Sequence, residues 1–363
     1  MARIKMITWN IQVLGPKKHK VKRNSTALCR FISAVVESAG ANILVLQELM
    51  NSISGSAARI LIGELKVKTS REWNYFSYAA RPNNDREAYG IFWQEDASFT
   101  PITDAAGARQ EGLASNRFPV WYSNDSPNGR RAAYVAFRTT DTNNNFVVST
   151  YHSPPTNPAA GVLANSRMPE IYTVDNNGTR EEFHTRLLAG DFNMDINHDA
   201  HAYRPFTDLL PAVPPPANAG EGTGTEAAIN DPDLVGTLLG NYKEAVKRWG
   251  DKISDWADDP LEYRQKVNLI DNIFHTPSPP PHNTESEVLD IIDDIVNKRN
   301  LLFYYANKFP LLDRKGRKWM EAFPHARLLL KMKRRWSGIT ACVFLFYRYA
   351  ISDHLPVKLS IDI

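Results

Sequence analysis

Five apolar runs in this chain each end in a short polar motif that contains carboxylate, amide or imidazole side chains. The motifs are Thr8-Trp9-Asn10, Gln47-Glu48, Tyr151-His152-Ser153, Gly190-Asp191-Phe192-Asn193 and Ser352-Asp353-His354. Apolar runs of this kind are typical of core strands, and polar residues at their ends are typical of a site at one rim of a sheet. Carboxylates supply hard oxygens for Mg²⁺, Asn can donate to a phosphate oxygen, and His can transfer a proton near neutral pH. The pattern therefore predicts metal-dependent chemistry on a phosphate ester.

The composition permits a large hydrophobic core. The chain has 363 residues, of which 43% are hydrophobic and 10% aromatic, so it is expected to form one large or two modest globular domains. Its two cysteines, Cys29 and Cys342, have no metal-type spacing, and neither a disulfide framework nor a zinc site is indicated.

The chain contains no segment that predicts membrane insertion or Sec-type export. The amino terminus lacks the long apolar run of a signal peptide, so we expect a cytoplasmic location or delivery by a signal-independent secretion route. The most apolar stretch, residues 339–351, has 13 residues. A membrane-spanning helix needs roughly 20, and we interpret the stretch as a buried strand.

The pattern of apolar residues predicts more strands than helices. Apolar residues at helical spacing predict a helix at residues 25–40, with Ser25 as N-cap and Gly40 as its end. The main strand candidates are residues 4–11, 43–46, 75–79, 88–93, 132–138, 146–151, 187–189, 267–274 and 357–361. This excess of strands favours a pair of mixed sheets over a single parallel sheet.

A stretch near the carboxyl terminus has a different character. Thr284-Glu285-Ser286-Glu287 has the form of a capping box and is followed by apolar residues at helical spacing, which predicts a helical insertion at residues 282–337. From Arg314 to Arg335 there are nine Lys or Arg residues and one Glu. Such a run is more often a solvated helix face than a nucleic-acid contact, and both interpretations stay open here.

The five motifs, in this order, resemble the endonuclease/exonuclease/phosphatase superfamily, and most closely its deoxyribonuclease I-like branch. The resemblance covers nearly the whole chain and implies a single catalytic domain over residues 1–363. The fold that it implies is an α/β, or α+β-like, four-layer sandwich of two mixed β-sheets flanked by helices, here with a helical insertion near the carboxyl terminus.

The resemblance also implies a metal site and a phosphate-binding group. Glu48 is expected to be the main metal ligand, with Asn10 beside it and Asp353 close to both the metal and the phosphate. Asp191 and Asn193 are expected to meet the attacking water and the scissile phosphate. An extended segment would direct both side chains the same way. A turn is an equally good interpretation of Gly-Asp-Phe-Asn taken alone.

Two histidines complete the expected catalytic set. The resemblance implies that Glu87 orients His152 and that Asp271 orients His354. A neighbouring carboxylate favours the imidazolium, so one ring can act as acid and the other as base.

Three residues are candidates for substrate binding. They are Asn193, Arg117 and Tyr89, and for Arg117 an ordinary surface position is equally compatible with the sequence.

The predicted function is that of a metal-dependent phosphodiesterase, and more specifically of a DNA endonuclease that uses Mg²⁺, or Mn²⁺, and an activated water. The expected partner is nucleic acid, most specifically DNA, and no protein partner is predictable. One alternative is a phosphoinositide phosphatase or sphingomyelinase-like hydrolase, although Met194-Asp195 replaces the Tyr-Arg typical of inositol-phosphate phosphatases. The other alternative is a non-catalytic nucleic-acid-binding module.

Overall fold

The computed structural model describes residues 2–14, 22–49, 56–80, 87–95, 98–102, 130–166, 171–176, 179–195, 199–207, 226–227, 271–276, 283–291, 347, 351–352 and 354–363. Among these residues, no helix is both long enough and apolar enough to cross a membrane.

The first sheet has six strands within the described residues, in the spatial order β13-β14-β1-β2-β4-β3. Their bounds are β1 Arg3–Leu14, β2 Ile43–Leu49, β3 Trp73–Ala79, β4 Ala88–Gln94, β13 Thr284–Val288 and β14 Val357–Asp362. The central pair, β1 and β2, is parallel, and every other neighbouring pair is antiparallel.

The second sheet repeats this arrangement with six described strands in the order β11-β12-β10-β7-β6-β5. Their bounds are β5 Phe99–Pro101, β6 Ala133–Thr139, β7 Asn145–His152, β10 Thr185–Asp191, β11 Glu226–Ala227 and β12 Asp271–His275. Its central pair, β7 and β10, is parallel, and the flanking pairs are antiparallel. A separate ribbon pairs β8 Thr173–Asn176 with β9 Thr179–Glu182.

Helices cover the outer faces of the two sheets. The described helices are α1 Lys22–Ala39, α2 Ser56–Thr69, α3 Pro158–Ser166, a 3₁₀ turn at Ala200–Tyr203 and α4 Arg204–Thr207. Leu44 and Leu46 of β2 pack with residues of α1 and α2, whereas Ile43 and Val45 pack in the core shared with the second sheet. Because both faces of β2 are covered, its apolar run is unbroken. The predicted sandwich of two mixed sheets flanked by helices is confirmed.

The helix predicted near residue 25 is confirmed, and its end lies where it was expected. It begins at Lys22, so Ser25 lies inside the helix and is not its N-cap. Gly40 has a φ of 61°, and the Ala41 N–H donates to the Val36 carbonyl at 3.0 Å. This bond closes a Schellman motif, which glycine favours because it adopts positive φ without a Cβ clash.

The predicted helix start at Thr284 is wrong. Thr284–Val288 forms β13, an exposed edge strand that pairs antiparallel with β14. Alternate residues bind basic neighbours: Glu285 lies 3.2 Å from Arg3 and Glu287 lies 2.8 Å from Lys358. In the structure these carboxylates therefore form ion pairs on the sheet, and not the contact with backbone N–H groups that a capping box would give. Residues 292–337, which include the basic stretch and the rest of the expected insertion, lie outside the described residues.

The strand predicted at residues 339–351 is also wrong where the structure describes it. Tyr347 and Ile351 are buried, as expected, but they belong to a π-helical turn. The Ser352 N–H donates to the Tyr347 carbonyl at 2.9 Å, which is the bond that closes such a turn. Single π turns of this kind often lie next to functional sites.

Candidate active site

The polarity of the strands brings the predicted residues to one rim of the sandwich. The four central parallel strands end there, and three antiparallel neighbours begin there. The side chains that they carry are Asn10 of β1, Glu48 of β2, His152 of β7, Asp191 of β10, Glu87 before β4, Asp271 of β12 and His354 before β14. Loops and strand ends on a rigid scaffold can hold such groups in fixed positions.

The two sheets meet at this rim with an approximate two-fold relationship. The order β14-β1-β2-β4 in one sheet corresponds to β12-β10-β7-β6 in the other. The ends of corresponding strands face each other, and four pairs of side chains meet across the boundary between the sheets. The pairs are Asn10 Nδ2–Asp191 Oδ2 at 2.9 Å, His152 Nδ1–Glu48 Oε1 at 3.9 Å, His354 Nδ1–Asp271 Oδ2 at 2.8 Å and Arg130 Nη2–Glu87 Oε2 at 3.1 Å.

Asn10 lies between two carboxylates. Its Nδ2 donates to Asp191 Oδ2 at 2.9 Å and to Glu48 Oε1 at 3.2 Å, while its Oδ1 accepts the Gln12 N–H at 3.0 Å. Gln12 and Glu48 have φ values of 47° and 58°, in the left-handed region that non-glycine residues rarely adopt. Unfavourable backbone conformations of this type are concentrated at functional sites.

His152 is held between two acidic groups. Its Nδ1 lies 2.7 Å from Glu87 Oε1, and its Nε2 lies 3.5 Å from Asp191 Oδ2. Burial alone lowers the pKa of the imidazole, but the Asp191 charge and the hydrogen-bonded Glu87 carboxylate outweigh that effect and raise the pKa above 6.5. The arrangement favours the imidazolium.

Arg130 supports the His152–Glu87 pair, and the sequence analysis missed it. The guanidinium donates to Glu87 Oε2 at 3.1 Å and to the carbonyl oxygens of His152 and Ser153 at 3.3 and 2.8 Å. The sequence signal was weak, since an arginine just before an apolar strand has no motif of its own. Only the fold shows that this arginine contacts Glu87 and the end of β7.

Tyr89 lies beneath His152 and not on the open face of the site. It is fully buried, and its hydroxyl accepts the His152 backbone N–H at 3.2 Å. Burial, with a smaller effect from Glu87, raises the pKa of this hydroxyl, so it stays protonated. The structure thus places Tyr89 against the backbone of β7, and the substrate contact expected for it from the sequence stays a prediction.

His354 is fixed through both its ring and its backbone. Its Nδ1 lies 2.8 Å from Asp271 Oδ2, and its Nε2 lies 3.8 Å from Asp191 Oδ2. Its carbonyl oxygen accepts hydrogen bonds from Trp9 Nε1 and from the Tyr347 hydroxyl, each at 2.9 Å. The π-helical turn therefore contributes directly to the placement of this imidazole.

The Ser-Asp-His motif also binds the first strand. The Ser352 hydroxyl donates to the Asn10 carbonyl at 2.6 Å and accepts the His354 N–H at 3.0 Å. Asp353 and Arg117, both predicted site residues, lie outside the described residues.

The Gly-Asp-Phe-Asn segment forms a turn and is not extended. Asp191 Oδ1 accepts the Asn193 N–H at 2.9 Å, and Asn193 has a φ of 53°. The Asn193 Nδ2 donates to the Ser153 carbonyl at 2.8 Å, which leaves one amide hydrogen for another acceptor. A Cβ on Gly190 would lie 1.9 Å from the Tyr151 carbonyl oxygen, so only glycine allows β10 to approach β7 this closely.

The donor set is suited to a hard divalent cation. Asp191, Asp271 and His354 offer ligand atoms within 4.8 Å of one another. Asp271, however, already forms a hydrogen bond with the His354 ring. Asp191 and Glu48 instead both accept hydrogen bonds from the amide nitrogen of Asn10, which carries a partial positive charge. A divalent cation at this place would balance the negative charges of the two carboxylates. As placed, Asn10 turns its nitrogen and not its oxygen to these carboxylates. It would become a ligand only after its amide had rotated.

Solved structures with the same fold were found at low sequence identity. An endonuclease/exonuclease/phosphatase family protein from Bacteroides thetaiotaomicron is 15% identical, with 99% of this chain and 94% of that chain covered and a TM-score of 0.51. A mannosyl-6-phosphatase from Bacteroides thetaiotaomicron VPI-5482 is 15% identical, with 99% and 100% covered and a TM-score of 0.49. A humanized D. rerio TDP2 is 10% identical, with 100% of both chains covered and a TM-score of 0.47. The first of these, with a TM-score above 0.5 and 15% identity, shows a likeness in the fold alone.

A family model gives the more specific result. No curated protein matches the chain in sequence. The model described as the Endonuclease/Exonuclease/phosphatase family matches residues 7–354, a span that contains the motifs from Asn10 to His354. The resemblance seen in the five motifs is thereby confirmed. The chain belongs to the endonuclease/exonuclease/phosphatase family, whose members are hydrolases that act on phosphate esters.

Proposed function

We propose that this protein is a divalent-metal-dependent phosphodiesterase and that its substrate is DNA, which it cleaves internally by in-line attack of an activated water. The observation that carries the proposal is the convergence of two carboxylate-paired imidazoles on Asp191. His152 Nε2 and His354 Nε2 lie 3.5 and 3.8 Å from Asp191 Oδ2. The Asn10 amide donates hydrogen bonds to both Asp191 and Glu48, so the Glu48 carboxylate lies beside the same group.

Glu48 and Asp191 would hold the cation. A bound Mg²⁺ or Mn²⁺ would neutralise charge that develops on the phosphoryl oxygens and would supply the larger electrostatic part of catalysis. Glu48 has 23% of its side chain exposed, whereas the Asp191 side chain is almost wholly buried. The phosphate therefore reaches the site from the Glu48 side.

The two imidazoles divide the proton transfers. His354, whose Nδ1 is bound to Asp271, accepts a proton from the attacking water through Nε2, and Asp191 orients that water. The new bond joins the water oxygen to phosphorus, and the bond from phosphorus to the leaving oxygen breaks. His152, whose pKa is raised, donates a proton to that leaving oxygen. Acid and base assistance of this kind typically contributes about 10²- to 10⁴-fold.

Asn193 is placed to bind the phosphate. One of its amide hydrogens is used by the Ser153 carbonyl, which fixes the plane of the amide beside Asp191. The second hydrogen can donate to a phosphoryl oxygen. Because the group is held before substrate arrives, little reorganisation is needed during the reaction.

DNA is proposed as the substrate because of the charge distribution in the sequence. Nine basic residues and one acidic residue lie between Arg314 and Arg335, in a chain whose net charge is only +3. A basic segment of this kind matches the phosphate backbone of a nucleic acid. Arg117 is the second candidate for such a contact.

The test compares four substrates, which are supercoiled plasmid, single-stranded DNA, RNA and a phosphoinositide. Each is incubated with Mg²⁺ or with EDTA. We expect nicking of the plasmid that requires Mg²⁺ and that is lost in Asp191→Ala. Phosphate release from the phosphoinositide with intact plasmid would instead identify a phosphatase. Salt-dependent DNA binding without cleavage would identify a binding module.

A further inference from the structure

Gln47 is a buried amide in the largely apolar space between the two sheets. It follows the apolar run of β2, and its side chain lies on the same face as Ile43 and Val45, which belong to the core shared by both sheets. It is fully buried. Burial of an amide is unfavourable unless hydrogen bonds compensate for the lost water. Nothing in the chemistry described above uses this side chain.

The amide nitrogen of Gln47 binds both sheets at once. Its Nε2 donates to Thr8 Oγ1 at 3.0 Å and to Thr150 Oγ1 at 2.9 Å. Thr8 belongs to β1 of the same sheet, whereas Thr150 belongs to β7 of the other sheet. We call this set, the Gln47 amide with the two threonine hydroxyls, the Gln47 bridge.

The Gln47 bridge lies one step below the rim of the site. Thr8 precedes Asn10 by two residues, Thr150 precedes His152 by two residues, and Gln47 is adjacent to Glu48. Residues two apart on a strand share a face, so Thr8 lies directly beneath Asn10 and Thr150 lies directly beneath His152. Loss of the bond from Gln47 to Thr150, the part of the bridge that joins the two sheets, is therefore expected to change the distance between the two halves of the site.

We propose that Gln47 is a positioning residue that sets the spacing between the half of the site on the first sheet and the half on the second. The inference rests on the proposed function, because the spaced groups are the proposed metal ligands and proton donors. Apolar packing between sheets is non-directional, whereas a hydrogen bond requires a defined distance and angle. Of the two bonds in the Gln47 bridge, only the one to Thr150 crosses between the sheets, and it does so beneath the bonds that join the sheets at the rim.

A role in stability alone does not explain the amide. Among the described residues, the Gln47 Oε1 has no hydrogen-bond partner, although the atom is buried. An unsatisfied buried carbonyl is unfavourable, and an apolar side chain of the same size would avoid it.

The two threonines provide a matched pair of variants. Each is fully buried and each accepts one hydrogen bond from the same nitrogen, but only Thr150 is on the opposite sheet. We expect Thr150→Val to lower both kcat and Mn²⁺ affinity by about tenfold or more, since a misplacement near 1 Å can cost about 10²-fold. KM is expected to change little. Thr8→Val should leave all three unchanged, and Thr150→Ser, which keeps the acceptor oxygen, should restore wild-type values.

A further measurement requires neither metal nor substrate. The Asn10 side-chain amide spans the same gap, so its hydrogen exchange in the metal-free protein reports the spacing by NMR. Faster exchange in Thr150→Val than in Thr8→Val supports the proposal. Equal effects of the two variants on exchange, Mn²⁺ affinity and kcat would overturn it. If the wild-type protein hydrolysed no phosphodiester, the proposed function would fail, and the exchange rates would still decide the role of Gln47.

Discussion

Asn10 donates a hydrogen bond to Asp191 across the boundary between the two sheets, at 2.9 Å. Asn10 lies on β1 and Asp191 lies on β10. Each strand belongs to the central pair of its own sheet, and the two strands occupy corresponding positions. The site is therefore divided between two structural halves, and neither half alone contains both proposed metal ligands, Glu48 and Asp191, or both proposed proton-transferring histidines.

Replacement of the proposed metal ligand should remove most activity. Glu48→Gln keeps the size of the side chain but removes the charge that would hold the cation. We expect kcat to fall by at least about 10²-fold, the scale seen when one electrostatic contact to the transition state is lost. The measurement is Mg²⁺-dependent nicking of plasmid. Glu37→Gln, on the surface of α1, is the control and should nick at the wild-type rate.

Glu48 should also reduce the stability of the metal-free protein, because its φ of 58° is unfavourable for a side chain of this type. Asn tolerates the left-handed region much better than Gln. Both substitutions remove the charge, but only Glu48→Asn relieves the backbone. We expect its free energy of unfolding in EDTA to exceed that of Glu48→Gln by about 1 kcal/mol. Equal urea midpoints for the two variants would contradict this expectation.

The raised pKa of His152 predicts a pH dependence of stability in the metal-free protein. The pKa of this imidazole is raised in the folded state above its ordinary value of 6.5, so the folded protein binds the proton more tightly than the unfolded chain. Its contribution to stability is thus fully present below pH 6.5 and is lost as the pH rises through the folded pKa. The difference in unfolding free energy between wild type and His152→Gln should show this fall. NMR titration should also show a lower His152 pKa in Glu87→Gln.

Loss of Arg130 should be costly because it removes the guanidinium that pairs with Glu87 Oε2 at a mostly buried position. The exposed fractions of the Arg130 and Glu87 side chains are 10% and 14%. Removal of one member of such a pair typically costs about 3–5 kcal/mol, which we expect for Arg130→Met in urea unfolding. Arg130→Met combined with Glu87→Leu should recover part of the loss. If the two losses simply added, the pair would not be coupled.

Gly190 and Gly63 should respond in opposite ways to alanine. A Cβ at Gly190 meets the Tyr151 carbonyl oxygen at 1.9 Å, whereas a Cβ at Gly63 in α2 meets nothing within 4 Å. We expect Gly190→Ala to lower the free energy of unfolding by about 1–3 kcal/mol through overpacking. Gly63→Ala should raise it by about 0.5–1 kcal/mol, because alanine is the better helix former. Thermal unfolding of both variants provides the measurement.

The sequence predicted those features that depend on local pattern. The helix ending at Gly40 follows from spacing within one segment, as do the strand at Ile43–Leu49 and the polar residues at its end. The motifs also predicted that Glu48, His152, Asp191 and His354 would come together, and the structure brings them together.

The features that the sequence did not predict depend on partners distant in the chain. Glu285 and Glu287 resemble a capping box until Arg3 and Lys358 pair with them on an edge strand. The role of Arg130 depends on the pairing of β6 with β7 in the second sheet. The role of Tyr89 depends on the packing of β4, in the first sheet, against β7. The π-helical turn at Tyr347 is stabilised by contacts with His354 that no local pattern encodes.

The position of β14 beside β1 affects when a newly made chain becomes active. His354 and β14 are translated more than 300 residues after Asn10, and both must join the first sheet before His354, the proposed proton acceptor, faces Asp191. A polypeptide that still lacks β14 therefore lacks His354 beside Asp191 and has an incomplete candidate site. The proposed hydrolysis cannot begin until β14 has been synthesised and has paired with β1.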